Sequence, residues 1–260
     1  MIRPGLAQAL REIRAKHIGG EWSPHLWVDA ICIDQSSAED KNKQLKHMGD
    51  IYNGAQLVIV WLGTLDPQGQ TERGMKFIRD LQELTPLRDY LKKPEHADDW
   101  RALANLTRKP WFTRLWIVQE ICAARHAVLL AEDQTVTWDD FAGAMSLFVS
   151  QSQKIRTMLA KTGILGRGDG DFLGDIHLSG ASILVENRGS LLRKRENGAV
   201  AEHGRSLEAL ITSLSMFQVT EEHDTIYAIL WLSGDAGGTS QVRGIHPHER
   251  LLPIGVSKHT

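Results

Sequence analysis

The chain has 260 residues, and 30 Lys and Arg stand against 32 Asp and Glu for a formal net charge of −2. A balance so close to zero argues against nucleic-acid binding, which needs clustered cations to neutralise phosphates. At 42% hydrophobic and 24% charged residues, the composition is that of an ordinary globular protein and excludes a disordered or fibrous chain.

The first predicted element is an amphipathic helix from Pro4, with Leu6, Leu10 and Ile13 at helical spacing and Gly19-Gly20 as its end. Leu26 to Ile33, apolar except for Asp29, suits a strand buried on both faces of a parallel sheet. Within it Cys32 reads as a small core residue. Ser36 or Ser37, followed by Glu39 or Asp40, makes a capping box for a helix carrying Leu45, Met48 and Tyr52. Leu57 to Leu62 is a second buried strand, and strand, helix and strand in about 40 residues form a βαβ unit. This run is also the longest apolar stretch, far short of the roughly 20 residues that cross a membrane.

Helices are expected over 74–91 and near Trp100. The stripe Phe112, Leu115, Val118 and Cys122 predicts another, His126 to Ala131 a third strand, and Thr137 the cap of one long helix to about Lys161. The second cysteine is Cys122; two cysteines in apolar runs exclude a disulfide framework and point to a reducing compartment, so a cytoplasmic or nuclear location is expected. Residues 163–180 are rich in Gly and Asp and read as a loop or insertion. Counted from Asp169, Leu173 and Gly180 fall where a calcium loop needs oxygen ligands, so no calcium site is assigned. Helical periodicity returns at 207–214 and 226–232. The segment 233–260 reads as a poorly ordered tail, His246-Pro247-His248 included, and no metal site is expected.

Three blocks in this order resemble the heterokaryon incompatibility (HET) domain of filamentous fungi. They are LWVDAICIDQ (26–35) with QLKHMGDIYNGAQLVIVWLG (44–63), RKPWFTRLWIVQEI (108–121), and SLEALI (206–211) with EEHDTIYAIL (221–230). The expected HET domain covers residues 1–232. HET domains open with a strand of Ser-Tyr-x-Trp-Gly type, which this chain lacks ahead of its first helix. They also show Arg-Asp-Lys where this sequence has His223-Asp224-Thr225. HET domains in turn look like distant relatives of TIR domains. The resemblance therefore implies an α/β fold: a TIR-like, flavodoxin-like doubly wound parallel sheet with extra helices and without its first strand. It also implies a role in non-self recognition and programmed cell death, with protein partners or self-association.

Catalytic TIR domains cleave NAD with a glutamate after a Ser/Thr-Arg-Trp-like segment; carried over by motif, that residue is Glu120. NAD would be a substrate, and no cofactor is otherwise assigned. A carboxylate near the ribose can stabilise an oxocarbenium-like state, while nicotinamide departs neutral. The alternative for Glu120 is an ion pair with Arg114 or Arg125. Asp34 and Gln35, past the carboxyl end of the first strand, stand where open α/β sheets bind ligands. Trp111 and Trp116 could stack a ring and Arg114 could hold a phosphate, although aromatics at helical spacing also build cores. With its first strand lacking, the chain is expected to have little or no NAD-cleaving activity. A non-catalytic signalling module and an inactive paralogue are the competing expectations.

Overall fold

The computed structural model describes residues 3–18, 25–82, 91, 93–162, 176–194, 200–235 and 252–256. Helix α1 (Pro4–Ile18) precedes the two-residue strand β1 (Leu26–Trp27), the single turn α2 (Asp29–Cys32), α3 (Ala38–Gly54) and β2 (Val58–Trp61). Helices α4 (Gln70–Asp80) and α5 (Ala97–Thr107) follow, then a 3-10 turn at Pro110–Thr113 and α6 (Trp116–Ala123). Next come β3 (Ala127–Ala131), β4 (Gln134–Thr137), α7 (Trp138–Ser150), α8 (Ser152–Lys161) and α9 (Gly180–Ser190). The hairpin β5 (Leu192–Lys194) and β6 (Val200–His203), α10 (Leu207–Ser213), α11 (Asp224–Leu230) and β7 (Leu252–Val256) complete the order.

The fold is mixed α/β. The main sheet has the order β1-β7-β2-β3-β4, and β5 and β6 form a separate pair. Four strands run parallel and β4 lies antiparallel at the edge, so the sheet is mixed where a wholly parallel one was expected. Alternation along β2 sends its side chains to two sides. Ile59 and Trp61 pack with Leu6, Ala9 and Ile13 of α1, while Val58 and Val60 join the larger core with α3 and α6. Every residue of β2 is buried, which accounts for its uninterrupted apolar run.

Several expectations are corrected. The strand expected over 26–33 stops at Trp27, because the Asp29 carboxylate accepts the Ala30 amide at 2.6 Å and starts a helical turn. That turn swings Cys32 outward, so it is exposed rather than in the core. The helix expected from Gly74 begins at Gln70, because Asp66 accepts the Gln70 and Thr71 amides at 2.9 and 2.6 Å. Burial would raise the Asp66 carboxyl, but these bonds and that of the Thr71 hydroxyl outweigh it and hold the pKa at about 2. The long helix after Thr137 breaks at Gln151; Ser150 Oγ donates to the Leu147 carbonyl, offering the backbone a way out of the helix. The stripe from Phe112 splits into a 3-10 turn and α6, since Leu115 donates its amide to Gln218 at 3.0 Å.

Both predicted caps are present: Ser37 and Thr137 each accept the amide of an aspartate three residues on, Asp40 and Asp140. The Gly/Asp-rich loop lies outside the described residues over 163–175, and Gly180 opens α9. The His246–His248 pair also lies outside them. Residues 252–256, within the expected tail, form β7 and take the position between β1 and β2. An isolated run of five residues shows no periodicity; only the sheet it enters identifies it as a strand. Among the described residues, no helix is long and apolar enough to cross a membrane.

Candidate functional site

The candidate site lies near the carboxyl end of β1, where α3 and α6 pack together. Tyr52 enters from α3 with 1% exposure and meets Trp27 of β1 edge-on, ring centroids 5.9 Å apart. Glu120 enters from α6, 4% exposed, beside Gln119 at 1%. Helix α6 packs against α3 and α11, so its polar pair at 119–120 sits inside the molecule rather than on a solvated face. Burial raises the Tyr52 phenol well above its ordinary value; the charges of Glu120 and Asp29 push it further, and Arg114 pulls it down. Two carboxylates and one guanidinium thus act through their charge on a buried phenol.

Gln35 and Asp34 shape the approach. Gln35 Nε2 donates to the carbonyls of Asp29 and Ile33, at 3.0 and 3.2 Å, and closes the turn after α2. Asp34 accepts both the amide and the hydroxyl of Ser36, at 2.8 and 2.6 Å. The Ser36 hydroxyl and amide together hold its carboxyl below the usual range. Both residues are exposed, so each keeps a face toward solvent beside Asp29.

Trp111 stands elsewhere. It is 1% exposed and packs edge-on with Phe112 and Trp138, while Phe112 stacks on Phe141 at 5.4 Å. A ring enclosed in this way offers no face to a ligand. Trp116 is partly buried against the core at the start of α6. Arg114 is half-buried, and its backbone bridges to Gln218. The charges of Asp29, Arg114 and Glu120 all bear on the Tyr52 phenol, Gln35 is tied to the Asp29 carbonyl, and Trp111 packs in an aromatic block of its own. Tyr52 and Gln119 were missed as site residues. Tyr52 lies four positions after Met48 on the apolar stripe of α3 and reads as core; only the charges around its hydroxyl mark it.

A surface depression of about 520 Å³ lies apart from this cluster, lined by Pro94, Lys154, Thr157 and Lys161 among others. None of the candidate residues lines it.

The family model described as "Heterokaryon incompatibility protein (HET)" matches residues 1–120, which span α1 through Glu120. Residues 1–120 are thus similar to a HET domain. Along 90% of its length it is also similar to heterokaryon incompatibility protein 6, OR allele, of Neurospora crassa, at 25% identity over 269 residues. The chain spans 38% of the length of that curated relative. No solved structure matches the chain. The HET match ends at Glu120 itself, so both polar residues of the buried α6 pair fall inside the matched region.

Proposed function

We propose that the chain acts in fungal heterokaryon incompatibility as a HET-domain module, and that any chemistry it performs is TIR-like cleavage of NAD centred on Glu120. The observation carrying this reading is the Glu120 carboxylate buried at 4% exposure on α6, which packs against α3, the helix whose Tyr52 meets the last residue of β1. In such surroundings a carboxylate is weakly solvated and interacts strongly with charge developing nearby. Cleavage breaks the bond between ribose C1′ and nicotinamide, whose ring nitrogen keeps the electron pair. Water then adds to C1′ and gives up a proton. Glu120 would face the positive charge spread over C1′ and the ring oxygen, and Arg114 would hold a phosphate. Asp34 and Gln35 supply hydrogen bonds for ribose or amide. The TIR-like, doubly wound reading of the sheet belongs to this proposal.

With 4% exposure at Glu120, substrate reaches the carboxylate only if an element packed on α6, such as α11, moves, so the closed chain turns over slowly or not at all. Release of nicotinamide from NAD by the purified protein tests this. Slow release abolished by Glu120→Gln supports it; release unaffected by that change overturns it. The second reading, a non-catalytic module that signals by contact, is favoured by the apolar residues exposed along α11: Ile226, Tyr227 and Leu230. Expression in a fungal host separates the two. Toxicity with NAD depletion, lost in Glu120→Ala, selects the enzyme; toxicity with NAD intact selects the contact module.

A further inference from the structure

β7 is a central strand made from the end of the described chain. It pairs parallel with β1 on one side, Leu26 with Leu252 and Trp27 with Pro253. On the other it pairs parallel with β2, where Ile59, Val60 and Trp61 meet Ile254, Gly255 and Val256. Among the described residues, β1 has no strand neighbour but β7. Were β7 withdrawn, β2 would present an unpaired edge of four buried apolar residues, a template that pairs readily with any extended segment. The position between β1 and β2 therefore has the properties of a strand-acceptor slot.

The resident segment is a modest occupant. Pro253 has no amide hydrogen to give to a ladder, and Gly255 brings no side chain and loses more conformational freedom than other residues when ordered. The backbone pairings that hold it are the same whether it comes from its own chain or from another. The connection from α11 passes through residues 236–251, sixteen residues that span at most roughly 55 Å. For a flexible connection of sixteen residues the effective concentration would be about a millimolar. A second copy reaching similar local concentration competes on equal terms, as in domain swapping.

We infer that the slot between β1 and β2 is a strand-exchange site, and that its second occupant is the 252–256 segment of another copy of this chain. The device is sensitive to crowding: single molecules close on themselves, and clustered molecules interlock. It does not depend on NAD chemistry, since neither Glu120 nor Tyr52 takes part in the pairing.

Cysteine trapping in the full chain tests it. In a Cys32→Ser background, an isotope-labelled Ile59→Cys chain is mixed with an unlabelled Ile254→Cys chain and oxidised, and the linked 59–254 peptide is read by mass spectrometry. These positions are register partners, so that peptide joins labelled to unlabelled chain only when one β7 lies in the other's slot. The double variant Ile59→Cys/Ile254→Cys should bridge within one chain. The mixed singles should show little linkage at about 10 μM and a roughly tenfold or greater rise toward 1 mM. Intrachain bridging without interchain linkage at any concentration overturns the proposal, and so does absence of bridging within the double variant. Val60→Cys with Gly255→Cys is the replacement pair if the first fails to fold.

Discussion

The turn at Pro110–Thr113 and helix α6 lie next to each other in the chain and are buried to similar depth, yet their chemistry is opposite. Trp111 and Phe112 close an aromatic block with Trp138 and Phe141 in which every ring meets another ring. Gln119 and Glu120, two turns further on, bury polar groups among charges instead. The first region lowers free energy by area and dispersion. The second carries a desolvation cost that the first must offset. Equal burial thus means stability in one place and a candidate for chemistry in the other.

The largest expected effect breaks the aromatic side. Phe112→Ala should cost about 3–5 kcal/mol of unfolding free energy, because its ring fills space between Trp111 and Phe141 that cannot collapse. Denaturant titration checks this, and a loss below about 1 kcal/mol would mean that the block is not closely packed. Gly180→Ala comes next. A Cβ there would run into the Phe112 carbonyl oxygen, so α9 or the turn must shift. The expected cost is roughly 1–3 kcal/mol, read as a lowered Tm.

On the polar side, Glu120→Gln keeps shape and removes charge. It should move stability by less than Phe112→Ala does, while bringing the Tyr52 phenol back toward its ordinary range. Ultraviolet titration of tyrosine ionisation reads that shift; an unmoved phenol would show that Glu120 and Tyr52 do not interact. The smallest effect belongs to Tyr52→Phe and is confined to alkaline pH. The folded-state pKa of Tyr52 lies above the unfolded value, so its contribution is complete below about pH 10 and fades as pH rises beyond it. Tyr52→Phe should therefore unfold at higher pH than the parent chain, with the two indistinguishable near neutrality.

Much of this contrast is legible residue by residue. Ser37 and Thr137 announce their helices because a cap is a local bond to an amide three residues away. The stripes of α1 and α3 and the run of β2 follow from periodicity and burial on both faces. Asp29, by contrast, looks like one polar interruption in a strand; its turn depends on where the sheet ends, which no local pattern records. Trp111 and Trp116 look alike in sequence, and only packing separates the enclosed ring from the partly buried one. Tyr52 is hidden for the same reason, since an apolar stripe accepts a tyrosine without saying what its hydroxyl meets.

The sequence by itself determined the HET resemblance, the α/β class, the starts of α1, α3, α7 and α10, and Glu120 as the candidate carboxylate, because motifs, caps and periodicity are short-range properties. Tertiary structure alone decided that Glu120 is buried on a helix packed against the one that carries Tyr52. It alone decided that Trp111 belongs to the core and that residues 252–256 run between β1 and β2. Those outcomes depend on which distant segments meet, and a pairing across nearly two hundred residues leaves no mark in the spacing of either partner.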